Sequence, residues 1–318
     1  MEKLALTSLL GTKYPIIMAP MFLVSNEKMV LAGTENGIAA AIPALNYRNT
    51  ELFREGLNRL NILKKGPIGV NLIVNASNVY LEDQLQICVE VGVDFIITSL
   101  GSPRKVIQAA KEKGIKVFCD VTDVFFAKKV EEMGADAVIA VNNQAGGHAG
   151  NIEPIALLTQ LREAVSIPVI SAGGIGTHDE MKALIEAGAQ GFSIGSLFIA
   201  THESEVSNEY KEACVTYSDK DIVMTSKLSG TPCTVINTPY VQQIGTKQTW
   251  LERILNKNKK LKKWVKAFVF YRGMKSLQKA AFSATYKTVW CAGPSIKHVH
   301  SIRSVKEVIE DLVKDGSN

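Results

Sequence analysis

Long hydrophobic runs are missing from this 318-residue chain. No stretch of about 18 apolar residues occurs, so no membrane-spanning helix is expected. The N-terminus, Met1-Glu2-Lys3-Leu4-Ala5-Leu6-Thr7, lacks the apolar core of a signal peptide, and cytoplasm is the expected compartment. Cysteine is sparse. Cys88, Cys119, Cys214, Cys233 and Cys291 are scattered and form no Cys-x-x-Cys pair, which argues against a zinc knuckle and a disulfide framework. They are expected to be mostly small buried residues, and no metal site is expected. Low-complexity segments and obvious linkers are also lacking.

Charge of one sign is scarce everywhere except in one place. The net charge is +5. Leu251–Lys275 holds nine basic residues, among them Lys257, Lys259, Lys260, Lys262, Lys263 and Lys266, against Glu252 alone. That segment is therefore about +8 and the remainder about −3, which makes global nucleic-acid binding a poor reading. The run reads either as a solvated helix face or as a site for an anionic partner such as a carrier protein.

What is present is alternation. Short apolar runs fit strands at Pro15–Ala19, Gly37–Ile42, Ile68–Ile73, Phe95–Thr98, Lys116–Val121, Ala137–Val141, Pro168–Ser171 and Gly191–Ile194. Amphipathic runs such as Asn49–Leu63, Ser102–Lys113, Phe125–Met133, Pro154–Val165 and His178–Ala187 lie between them. Near-continuous apolar strands joined by helices indicate parallel strands buried on both faces. Gly92, Gly114, Gly134 and Gly188 each stand where a helix ends and a strand begins, the position that takes a left-handed backbone. Eight such units predict an α/β fold, a (β/α)8 TIM barrel with its site at the C-terminal ends of the strands. An open doubly wound sheet is the alternative, and the lack of G-x-G-x-x-G after the first strand counts against it. The rhythm stops near residue 200. Residues 1–200 and 289–318 are expected to build the barrel, and 201–288 a mostly helical cap over its mouth. Ser301–Lys314 has helical spacing at Ile302, Val305, Val308, Ile309 and Leu312 and is expected to return to the barrel wall.

Two features point to chemistry. Gln144-Ala145-Gly146-Gly147-His148-Ala149-Gly150 follows the sixth strand. Small residues there let backbone approach a ligand, and the imidazole of His148 is suited to moving protons near neutral pH. The seventh and eighth strands exit into Gly173-Gly174 and Gly195-Ser196. Glycine amides on those adjacent exits form a phosphate cradle in many barrels.

Pro15-Ile-Ile-Met-Ala-Pro-Met21, Gly69-Val-Asn-Leu72, Ala145-Gly-Gly-His-Ala-Gly150, Ala172-Gly-Gly-Ile175, Gly195-Ser-Leu-Phe198 and Trp290-Cys-Ala-Gly293 resemble the nitronate monooxygenase (2-nitropropane dioxygenase) family. The FMN-dependent enoyl-acyl-carrier-protein reductases share these motifs. The resemblance implies FMN, with its phosphate on Gly173, Gly174, Gly195 and Ser196. It places the ring near Ala19, Pro20 and Met21, with Asn71 at the ring edge and Gly146, Gly147 and Ala172 also around the cofactor. His148 would be the catalytic residue. It implies oxidation of a small-molecule nitronate or nitroalkane by molecular oxygen. The alternatives are an enoyl-acyl-carrier-protein reductase or quinone reductase using NAD(P)H, and a non-catalytic FMN-binding barrel. A homodimer is left open. Departures from the family pattern stand at Met18-Ala19-Pro20, Asp120, Val141-Asn142 and Pro294-Ser295. A carboxylate at Asp120 would repel a reduced, anionic flavin unless protonated or turned away.

Overall fold

Eight parallel strands close into a barrel in this computed structural model, which describes residues 4–76, 78–227, 232–247 and 289–314. They are β1 (Ile16–Met18), β2 (Ala39–Pro43), β3 (Ile68–Ile73), β4 (Phe95–Ser99), β5 (Lys116–Val121), β6 (Ala137–Val141), β8 (Val169–Ala172) and β9 (Phe192–Ile194). β7 is a two-residue strand, Gly147–His148, outside the barrel. Closure comes from β1 pairing with β9, with Ile16, Ile17 and Met18 opposite Phe192, Ser193 and Ile194. All eight strands expected from the apolar runs are found, three with the expected ends and five with ends shifted by at most two residues. The (β/α)8 expectation holds, and the open sheet is excluded.

Helices follow the strands: α2 (Glu27–Glu35), α3 (Thr50–Leu63), α4 (Leu81–Val91), α5 (Arg104–Lys111), α6 (Val124–Glu132), α7 (Pro154–Ala164) and α8 (His178–Glu186). Asn26, Asn49, Asp123 and Thr177 start α2, α3, α6 and α8 by accepting a backbone amide three residues on. The four junction glycines all have positive φ, from +69° at Gly114 to +107° at Gly188. The last helix, Val305–Val313, buries Val305, Val308, Ile309 and Leu312 and packs on α2 and α8. Both neighbours are helices that follow barrel strands.

The barrel is filled by side chains that alternate inward along each strand. Ile17, Ala39, Ala41, Phe95, Ile97, Phe118, Ile139 and Ile170 form this inner core. A Cβ at Gly69 would stand 2.2 Å from the Phe95 ring, so the missing side chain is what admits the ring. Leu6, in the short helix α1 (Ala5–Leu10), joins the same core and is fully buried, with its amide bonded to Gln190 O at 3.0 Å. Leu9 and Leu10 pack beside it. The N-terminal end of the barrel is therefore plugged with hydrocarbon.

The described residues of the segment after β9 include strands that the sequence reading did not expect. Its described part holds helices α9 (Asn208–Thr216) and α10 (Pro239–Ile244), and between them an antiparallel pair, β10 (Ile222–Thr225) and β11 (Cys233–Ile236). The β-branched residues of these four-residue runs favour strand over helix. The basic run Leu251–Lys275 lies outside the described residues. No helix among the described residues is long and apolar enough to cross a membrane.

Candidate active site

With the bottom sealed, the opening lies at the C-terminal ends of the strands. A cavity of about 720 Å³ occurs there. It is lined by all twelve residues singled out in the sequence: Ala19, Pro20, Met21, Asn71, Gly146, Gly147, His148, Ala172, Gly173, Gly174, Gly195 and Ser196. The strand geometry explains why residues so far apart in sequence meet, since Asn71 stands in the C-terminal half of β3 and the others at strand ends or in the loops that follow them.

The histidine loop is fastened on two sides. On the barrel side, Asn142 is 1% exposed and acts as a brace. Its Oδ1 accepts from Gln144 N at 2.8 Å, its Nδ2 donates to Gly173 O at 3.0 Å, and its carbonyl accepts from Gly150 N at 3.1 Å. One buried amide thus ties the sixth strand's exit to the seventh's. On the outer side, β7 pairs with β11, Gly147 opposite Thr234 and His148 opposite Cys233. Thr234 Oγ1 donates to Ala145 O at 2.6 Å and is also 3.3 Å from Gly147 O. The described part of the insert is therefore attached to the C-terminal mouth of the barrel.

His148 is exposed toward the cavity, although protein surrounds most of its ring. That desolvation holds its pKa below the ordinary 6.5, because the charged imidazolium is the form that loses hydration. The neutral imidazole is the dominant form at pH 7, which suits a proton acceptor.

Gly173 and Gly174 have φ of +110° and +73°, a region that side chains rarely adopt. A Cβ at Gly173 would lie 2.4 Å from both Ala145 N and Asn142 Oδ1, and one at Gly174 2.4 Å from Gln144 Oε1. These glycines are required by packing of the seventh exit against the histidine loop, before any ligand is considered. Gly146 is similar: its Cβ would lie 2.8 Å from Ser196 Oγ and 3.0 Å from Gly293 N. Ser196 Oγ accepts from Gly293 N at 2.9 Å, so one face of that hydroxyl already holds the late segment in place.

The top inward layer of the barrel carries polar groups that the sequence reading did not assemble. Asn71 Nδ2 donates to Ser99 Oγ at 2.7 Å and lies 3.2 Å from Ile97 O. Ser99 Oγ in turn donates to Asp120 Oδ2 at 2.5 Å. Burial pushes the Asp120 carboxyl up to about 6, opposed in part by the Ser99 hydrogen bond. Asn71, expected at the edge of a ligand ring, has its amide donors engaged, and it offers a ligand its carbonyl. Ser99 was missed by sequence reasoning, and Asp120 and Asn142 stood out only as departures from a family pattern, without these partners. The available signal was period-two placement at the C-terminal ends of strands, but the hydrogen bonds depend on register between strands.

Comparison with known proteins agrees with this geometry. The model of the nitronate monooxygenase family matches residues 3–315. The chain is 27% identical to a probable nitronate monooxygenase of Staphylococcus aureus, covering 76% of this chain and 81% of that one. It is 30% identical, over 76% of this chain and 67% of the other, to a hydroxy-methyl-oxo-octahydro-indene-carboxyl-CoA dehydrogenase of Rhodococcus jostii. Among solved structures it is similar to FabK from Thermotoga maritima, with 29% identity, a TM-score of 0.85 and coverage of 98% and 96% of the two chains. A nitroalkane oxidase of Streptomyces ansochromogenes shares the fold at 24% identity, with a TM-score of 0.80 and coverage of 97% and 96%.

Proposed function

Because this chain belongs to the nitronate monooxygenase family, we propose that it is an FMN-dependent oxidoreductase that oxidises nitronates and nitroalkanes with molecular oxygen. The observation that carries the reading is the convergence of His148, the Gly173-Gly174 and Gly195-Ser196 exits and the Asn71 amide on one cavity. Its volume of about 720 Å³ lies within the roughly 300–1,000 Å³ usual for cofactor and ligand sites. The residues fit a flavin mononucleotide. Gly173, Gly174, Gly195 and Ser196 would hold the phosphate, Ala19, Pro20 and Met21 would face the ring, and Asn71 would accept from a ring N–H. Gly146, Gly147 and Ala172 complete that wall. FMN when bound would supply the electron transfer from the nitronate or nitroalkane.

The protein's part is positioning and protons. His148 Nδ1 or Nε2, neutral at pH 7, accepts the α-proton of a nitroalkane. With a nitronate, which has already lost that proton, it orients the anion as a hydrogen-bond donor. The Asn142 brace and the β7–β11 pairing keep the imidazole fixed while it does so. Asp120 holds a proton when an electron-rich group lies above it, since its carboxyl is close to half-protonated near pH 6.

One observation favours a second reading. The cavity lining also includes the apolar side chains Phe126, Val130 and Met133, beside Lys129. Apolar wall at that place would suit an acyl chain in an NAD(P)H-dependent enoyl reductase. Anaerobic mixing of FMN-loaded protein with a short nitronate, NADH or NADPH separates the two. Bleaching of the flavin by the nitronate alone is expected, and rapid bleaching only by a pyridine nucleotide would overturn the first reading.

A further inference from the structure

Two of the five cysteines come together, and they do so in the wall of the cavity. Cys233 Sγ and Cys291 Sγ are 3.7 Å apart, although 58 residues separate them in the chain. Both line the space that His148 lines. We propose that Cys233 and Cys291 are a redox-active dithiol whose substrate is a hydroperoxide entering that cavity, and whose product is a disulfide between β11 and the segment that follows residue 288.

The placement is built by the backbone. Cys233 pairs with His148 across β11 and β7, so the two side chains share a face of that small sheet. Val235, two residues on and hence on the same face of β11, forms an antiparallel bridge with Cys291. Ile236 N donates to Trp290 O at 2.9 Å, and Tyr210 Oη donates to Cys291 O at 2.5 Å. Tyr210 also stacks on Trp290, with centroids 5.5 Å apart. Both cysteines therefore stand on restrained backbone and not on loop tips. A disulfide needs the sulfurs at about 2.05 Å, so roughly 1.7 Å must be closed, which two χ1 rotations can share.

The two thiols are not equivalent. Cys233 is 3% exposed, and Cys291 is the more open of the pair. Cys291, the sulfur that a solute in the cavity reaches more readily, is the attacking one, while the neighbouring sulfur and burial raise the Cys233 thiol above its ordinary pKa. The chemistry balances in two steps. The Cys291 thiolate attacks the distal oxygen of the hydroperoxide, the O–O bond breaks, the alkoxide takes a proton and leaves as an alcohol, and Cys291 becomes a sulfenic acid. Cys233 Sγ then attacks that sulfur, the S–O bond breaks, and hydroxide leaves and takes the Cys233 proton as water. Two electrons pass from the dithiol to the peroxide. A small-molecule thiol returns the pair to the reduced form.

The other cysteines serve as internal references. Cys88, Cys119 and Cys214 are buried, and burial pushes their thiols up, that of Cys119 to about 12. The test is limited oxidation of the full chain with hydrogen peroxide, followed by alkylation, mass spectrometry and peptide mapping. The expected product loses the mass of two hydrogen atoms and two alkylatable thiols, contains a Cys233–Cys291 cross-linked peptide, and reverts with dithiothreitol. Cys233→Ser should instead stop at a Cys291 sulfenic acid, trapped by a 1,3-dicarbonyl reagent. Wild-type protein that keeps all five thiols, links another pair, or accumulates oxygen on Cys291 without forming the cross-link would overturn the assignment. The decisive reading is made on the unaltered protein, so it does not depend on a variant's folding or on its flavin content.

Discussion

The two ends of this barrel are built from the same alternating strands and finished in opposite ways. At the N-terminal end the inward positions hold Phe95, Phe118 and Ile17, and Leu6 closes the opening. The Phe95 and Phe118 rings lie 5.4 Å apart, and the omission of a side chain at Gly69 makes room for one of them. At the C-terminal end the inward positions along β3, β4 and β5 become Asn71, Ser99 and Asp120, joined by hydrogen bonds of 2.7 and 2.5 Å. Hydrocarbon below supplies stability that does not depend on orientation. Amides, hydroxyls and a carboxyl above supply directed contacts at an energetic cost. The lower end can therefore carry strained or costly groups at the upper end without unfolding.

Mutations at the two ends should separate activity from stability. At the top, His148→Asn should slow turnover of a neutral nitroalkane by about 10²–10⁴-fold. The loss should be smaller for the corresponding nitronate and the melting temperature close to wild type. Equal losses for both substrates together with lost flavin would mean that the ring only braces its loop. At the bottom, Phe95→Ala should cost about 3–5 kcal/mol of unfolding free energy. Denaturant titration would read this, and the fraction still folded should keep its cofactor affinity. A loss of affinity in that fraction would erase the proposed division between the ends.

Asp120 tests the cost of the polar layer. Its pKa in the fold is about 6 against an ordinary 3.8, so the folded protein holds the proton more tightly than the unfolded chain. Stability should fall as pH rises from about 4 through about 6, because the charge must then be buried. Asp120→Asn should remove that slope and stabilise the ligand-free protein above pH 7 by up to about 3 kcal/mol. Identical pH profiles for the two proteins would show that the carboxyl is solvated. The smallest effect is expected at Thr234→Val, which deletes the hydroxyl donated to Ala145 O. It should cost about 1 kcal/mol. Its sharper readout is a raised KM, since the outer fastening of the histidine loop loses its side-chain hydrogen bond and keeps only the β7–β11 pairing.

The barrel was legible in the sequence because its signals are local. Eight apolar runs and four junction glycines each declare themselves within a dozen residues, and the motif glycines mark the mouth in the same way. The Asn71–Ser99–Asp120 chain was not legible, because it depends on register between strands whose members lie more than twenty residues apart. Asn142 stood out only as a departure from a family pattern, and its meaning as a brace between two exits required coordinates. The β10–β11 hairpin was hidden by its length: four residues per strand is too short for a period to assert itself against helical surroundings. Cys233 and Cys291 looked isolated for the same reason that the histidine's outer fastening was invisible. Both relationships are made by β11, which pairs with the histidine loop and carries Cys233.

His148 consequently has two owners. Its peptide bonds belong to the sixth barrel unit, while its orientation is shared with a strand inserted after the eighth. The barrel can thus remain constant while exchange or drift of the inserted segment re-aims the imidazole relative to the strand ends. A family of such proteins could diversify its chemistry by editing a strand some eighty-five residues away in the chain, with every motif at the mouth left untouched.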